Sequence, residues 1–123
     1  MTKAEKKLTY DLEERTALFG EEVIKLCHMF KITPQNRSLI DQLIRLSTSI
    51  GANYMEANGA SSKKDFRNKI SICKKEAQET KHWLRMLATA VPDKKEELKK
   101  LWKEAQELTL IFQKILTTMN DKK

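Results

Sequence analysis

The stretch Gln42–Asp65, QLIRLSTSIGANYMEANGASSKKD, reads as the back half of one helix, a tight turn and the start of the next. Leu39, Leu43, Leu46, Ile50, Tyr54 and Ala57 recur at helical spacing and mark a core face, with Asn53 at its edge. A second strip, Ile40, Ile44, Ser47, Gly51 and Met55, lies roughly 120° away and is apolar or small throughout. A lone bundle would leave that strip partly wet, so a second packing surface is expected there. Gly51 in a helix interior costs roughly 1 kcal/mol relative to Ala, which points to a close approach by another group; the bland alternative is a glycine near a fraying end. Asn58 and Gly59 predict a left-handed helix C-terminus, and Ser62 with Asp65 predicts a capping box that opens the following helix.

Outward from this joint the chain continues as helices. A polar arm precedes helix 1, about 10–31, whose Leu8, Leu12, Phe19, Val23, Leu26, Cys27 and Phe30 fall in one arc. Thr33 and Pro34 stop it and start helix 2, about 35–57. Helix 3, about 62–91, turns Phe66, Ile70, Cys73, Ala77, Leu84 and Leu87 inward and carries Ile72, Trp83, Met86 and Ala90 on another face beside Glu76 and Glu79. Pro92 and Asp93 restart the chain as helix 4, about 93–119, with Leu98, Leu101, Trp102, Ala105, Leu108, Phe112, Leu116 and Met119 inward. Three glycines and two prolines in 123 residues exclude a sheet-rich fold. The expected architecture is one all-α domain over 1–123, an antiparallel up-down-up-down four-helix bundle joined by short loops. The extra apolar faces, Ile44, Ser47, Gly51 and Met55 on helix 2 and Ile72, Trp83 and Met86 on helix 3, are then candidates for an oligomer interface.

The formal charge is +7, and helix 3 carries most of it. Between Lys63 and Arg85 there are eight basic residues against three acidic, a local +5. Lys63, Arg67, Lys74, Lys81 and Arg85 fall within about 40° of one another and make a stripe about 33 Å long. A stripe of that length suits a nucleic-acid backbone; equally it is the solvated face that a bundle helix needs, and no aromatic is interleaved on it.

Catalytic chemistry finds no support. Glu79 and His82 have the Glu-x-x-His spacing of di-iron bundles, but that site needs two such pairs and two further inward glutamates. Ser49 and the Ser71–Lys74 pair lack an organised base, and Gly59-Ala-Ser-Ser-Lys-Lys is not a phosphate loop. No cofactor, metal site or small-molecule substrate is expected. Cys27 and Cys73 lie on apolar arcs, where free cysteine behaves as a small hydrophobe, so a reduced, cytoplasmic protein is expected. Neither a secretory leader nor a membrane span is legible. Arg15, at the margin of helix 1's apolar arc, needs a carboxylate, and Glu56, Glu76 and Glu79 are the candidates for a structural ion pair.

Three blocks, YDLEERT at Tyr10–Thr16, QLIRLSTSIGANYMEANGASSKKDF at Gln42–Phe66 and KEAQETKHWLRML at Lys75–Leu87, resemble the small four-helix-bundle proteins encoded in intervening sequences of bacterial 23S ribosomal RNA. The likeness spans about 10–115, with helix 4 matching in pattern only. The resemblance implies an up-down bundle and a ring-like homopentamer. It extends to accessory proteins of diversity-generating retroelements, which bind a reverse transcriptase and nucleic acid through a basic pentameric barrel. Members are sometimes labelled ribosomal because of where their genes lie, which is no evidence of a place in the ribosome. The family offers no catalytic residues to carry over. Two functions are in view: a non-enzymatic homo-oligomer engaging RNA or a ribonucleoprotein through the helix 3 stripe, and a protein-interaction adaptor without direct nucleic-acid binding.

Overall fold

The computed structural model describes the backbone of residues 3–121 and the side chains of residues 12–120. Four helices account for almost all of it: α1 (Lys3–His28), α2 (Arg37–Asn58), α3 (Lys63–Ala90) and α4 (Lys95–Asp121), with a 3-10 turn at Pro92–Lys94 before α4. α1 begins earlier than the apolar periodicity suggests, because the helix formers of Lys3–Lys7 extend it, and the side chain of Leu8 lies outside the described residues.

The connections are made by local hydrogen bonds. Past His28 the chain tightens as Met29 N–H donates to Leu26 O at 3.0 Å and Phe30 N–H to Cys27 O at 3.2 Å. Thr33 and Asn36 then cap each other: Thr33 N–H donates to Asn36 Oδ1 at 2.8 Å and Asn36 N–H to Thr33 Oγ1 at 3.2 Å. Asn36 Nδ2 also donates to Lys31 O at 3.0 Å, so this buried amide holds the α1–α2 joint and α2 starts at Arg37 rather than at Gln35. Gly59 closes α2 at φ −96°, not in the left-handed region expected of it; Gly59 N–H donates to Glu56 O and Ala60 N–H to Ala57 O in tight terminal turns. Ser62 caps α3 as expected, its Oγ accepting from Asp65 N–H at 3.0 Å.

The helices form a compact bundle in which α1 neighbours α2, α2 neighbours α3 and α3 neighbours α4; among the described residues α1 meets α4 only sparsely and has no close backbone approach to α3. Leu12, Phe19 and Val23 of α1, Leu43, Ile50 and Tyr54 of α2, Ile70, Cys73, Leu84 and Leu87 of α3 and Leu98, Leu108 and Phe112 of α4 share one core. Tyr54 and Phe112 meet there with ring centroids 6.1 Å apart.

The small residues of α2 pack inside the chain. A methyl group added at Gly51 would sit 3.4 Å from Thr16 Oγ1, and one added at Gly20 would sit 3.4 Å from Thr48 Cα. The close approach expected at Gly51 is therefore α1 of the same chain. Ser47, fully buried, and half-buried Gly51 face α1 of the same chain, which supplies at these two positions the packing neighbour that the sequence reading assigned to a second copy. The reason is that a small strip shows that something comes near but not which helix does. Met55, at the end of the strip, is 62% exposed.

A Cβ at Gly51 would make ordinary van der Waals contact, so Gly51→Ala is expected to raise the unfolding temperature by about 4 °C through about 1 kcal/mol of helix propensity. Gly51→Leu is expected to lower it by prising α1 from α2; a lower melting temperature for Gly51→Ala would contradict this packing.

Candidate nucleic-acid interface

The α2–α3 seam sets the direction in which α3 presents its charges. Ser49 Oγ donates to Glu76 Oε2 at 2.7 Å, and Asn53 Nδ2 donates to Glu76 Oε1 at 2.8 Å and to Ser49 O at 3.1 Å. All three residues are half-buried, so the bonds to the charged carboxylate are shorter and stronger than exposed ones. Lys69 pairs with Glu56 at 3.5 Å further along the seam, and Cys73 Sγ donates to Ile50 O at 3.6 Å. With one flank of α3 held against α2, the opposite flank meets α4.

The basic stripe lies along that second flank. Lys63 and Arg85 are exposed and Arg67, Lys74 and Lys81 half-buried; Arg67 Nε is shielded from solvent with no hydrogen-bond partner. Among the described residues none of these five cations pairs with a carboxylate. Lys81 Nζ sits 5.3 Å from the ring centroid of Trp102 on α4 and hydrogen-bonds Gln106 Oε1. Arg85 shares a shallow groove with Lys95, Lys99 and Trp102 of α4, floored by Leu84 and Leu98. Trp102, expected to face inward, is 38% exposed, because it lies at the edge of α4's apolar arc beside the stripe. The stripe thus borders an aromatic after all. Trp102 with Lys95 and Lys99 was legible as an i, i+4, i+7 set on one helix face, a pattern visible only once α4 is read for charge as well as for core.

Other sequence candidates fall elsewhere. Ile72 is 39% exposed, Ile44, Trp83 and Met86 are half-buried, and Trp83 packs on the core margin with His82 edge-on at 5.1 Å. Arg15 does not pair with Glu56, Glu76 or Glu79. Its Nε donates to Glu104 Oε2 and its Nη2 to Glu104 Oε1, each at 2.7 Å, and Nη2 also reaches Glu107, both glutamates being on α4. Among the described residues α1 borders α4 and not α3, which leaves Glu76 and Glu79 out of reach of Arg15, while Glu56 serves Lys69. The hydrogen bond to Glu104 raises the Arg15 pKa against the opposing effect of burial. Burial pushes the Cys27 thiol up to about 11, and burial reinforced by the Glu76 charge pushes Cys73 up to about 12, so neither is a thiolate nucleophile at neutral pH.

A second groove, about 480 Å³, opens where α1 and α4 meet sparsely. Leu18, Phe19, Leu26, Met29 and Leu101 line it, and its rim carries Arg15, Lys25 and Lys100 against Glu22, Glu97 and Glu104. Leu18 is 47% and Met29 65% exposed. Among the described residues no helix is long and apolar enough to cross a membrane.

The sequence model described as "23S rRNA-intervening sequence protein" matches residues 10–114. The chain belongs to that family. Its fold is similar to the crystal structure of a protein of unknown function from the S23 ribosomal protein family of Bacteroides thetaiotaomicron VPI-5482, at 28% identity and a TM-score of 0.78 over 85% of this chain and 97% of that one. No curated protein matches. For this family member the Arg15 clamp makes a specific prediction. Arg15→Met is expected to lower the unfolding temperature by about 4 °C, from about 1 kcal/mol for a partly exposed bidentate pair. A double-mutant cycle with Glu104→Gln should show coupling above about 0.5 kcal/mol, and one with Glu79→Gln none; the reverse pattern would refute the pairing.

Proposed function

We propose that this chain is a non-enzymatic, homo-oligomeric binding protein that engages RNA, or a ribonucleoprotein such as one built on a reverse-transcriptase-like protein, through the α3 stripe. The observation that carries the reading is the line of five cations, Lys63, Arg67, Lys74, Lys81 and Arg85, none neutralised by a carboxylate among the described residues. Cations free of carboxylate partners can neutralise phosphates and so release the counterions condensed on the nucleic acid.

In this reading residues 1–123 are one cytoplasmic domain, an antiparallel up-down-up-down bundle. Its support is the pairing of Gly20 with Thr48 and Gly51 with Thr16, of Ile50 with Cys73 and Glu56 with Lys69, and of Lys81 with Gln106 while Arg85 and Ala88 share a groove with Lys95 and Lys99, in which numbers rise on one helix as they fall on the next. The subunits assemble into the ring, a homopentamer, that the family resemblance implies. Exposed Met55, Ile72, Leu18 and Met29 are among the apolar side chains available for subunit contact, and each copy repeats the stripe.

The α1–α4 groove favours a second reading, a protein-interaction adaptor. Three cations and three anions rim its apolar floor, a balance suited to a protein surface and not to phosphates.

The discriminating experiment measures RNA affinity against salt for the wild type and for a Lys74→Glu, Lys81→Glu, Arg85→Glu variant. The expected result is affinity at least tenfold weaker and a salt slope shallower by about 2, from about 0.7 per lost phosphate contact. Unchanged affinity and slope would reduce the stripe to solvated surface and leave the adaptor.

A further inference from the structure

The geometry points to a stacking subsite for one unpaired nucleobase of single-stranded nucleic acid in the α3–α4 groove, with Trp102 as its platform and Arg85, Lys95 and Lys99 as counter-charges for the flanking phosphates. This inference rests on the nucleic-acid reading above and narrows it to single strands.

Charge complementarity selects the occupant. Arg85, Lys95 and Lys99 line the groove with no carboxylate among its lining residues, and Lys81 adds a fourth cation at the Trp102 ring. The α1–α4 groove, by contrast, has a rim of balanced charge. Size points the same way: about 190 Å³ admits a planar ring and is smaller than the pockets that enclose whole cofactors. Leu84, Ala88 and Leu98 give it an apolar floor.

Trp102 is ready to stack. Lys81, itself tied to Gln106, sits over the indole, and 38% of Trp102 stays open to solvent. An exposed aromatic beside a track of cations is the arrangement by which proteins hold single strands without reading sequence, since every base has a π-face. Bases inside a duplex are already stacked on one another and do not present that face.

The test compares a short oligoadenylate with an abasic strand of the same length and charge, for the wild type, Trp102→Ala and Trp102→Phe. In a Trp83→Phe background, fluorescence reports Trp102 directly. The wild type is expected to prefer the oligoadenylate about tenfold, with quenching of Trp102. Trp102→Ala should bind both strands as the wild type binds the abasic one, and Trp102→Phe should keep most of the preference. Equal binding of both strands by the wild type would overturn the subsite and leave the stripe reading intact. Binding of neither strand would overturn that reading and the subsite with it. Dissociation of the oligomer in Trp102→Ala would assign the groove to subunit packing, which also overturns the subsite. The wild-type comparison of the two strands depends on no variant folding.

Discussion

Glu76 sits between Ser49 and Asn53, and the orientation of α3 depends on that contact. A carboxylate that accepts from a hydroxyl and an amide on the neighbouring helix fixes both the rotation and the axial position of α3 against α2. Lys69–Glu56 and the Cys73 thiol on Ile50 O repeat the constraint further along. Rotation of α3 decides what its other flank meets. Held this way, the helix turns Lys81 and Arg85 to α4, where Trp102 lies. A basic stripe that would otherwise be a row of solvated lysines becomes one side of a groove with an aromatic wall.

The opposite edge of α2 follows a different logic. Thr16 and Gly20 of α1 come close to Gly51 and Ser47, so that a Cβ added at either glycine would meet the facing helix at van der Waals distance. Drawing α1 towards α2 leaves its other side loosely covered, and the Arg15 clamp on Glu104 and Glu107 spans the seam with α4. The apolar groove beside this clamp is the surface on which a second copy or another protein has most to gain. The bundle thus separates two kinds of surface, one of uniform positive charge and one of apolar floor with balanced charge.

Much of this was legible from residue order, and the division has a physical cause. Helical periodicity is local, so the core residues Phe19, Val23, Leu43, Ile50, Ile70, Leu84, Leu108 and Phe112 could be read directly, as could the Ser62 cap. Which helix covers which face is not local. The strip through Ser47 and Gly51 announced a close neighbour, but whether that neighbour was α1 or a second subunit depended on the order of helices around the bundle. The same ignorance misassigned Arg15, whose true partners lie on α4. Trp102 was misplaced because a residue at the edge of an apolar arc can turn either way, and here Lys81 competes with the core for its ring. Asn36 was missed, though Thr33-x-x-Asn36 after a helix stop is a readable reciprocal cap.

Light scattering with and without single-stranded RNA at low and high salt is the most direct test of the proposed oligomer carrying RNA on a repeated basic surface. The expected result is a particle about five times the 14.3 kDa chain that gains the mass of RNA at low salt and sheds it as salt rises. A particle of 14.3 kDa whose mass RNA does not change would contradict it.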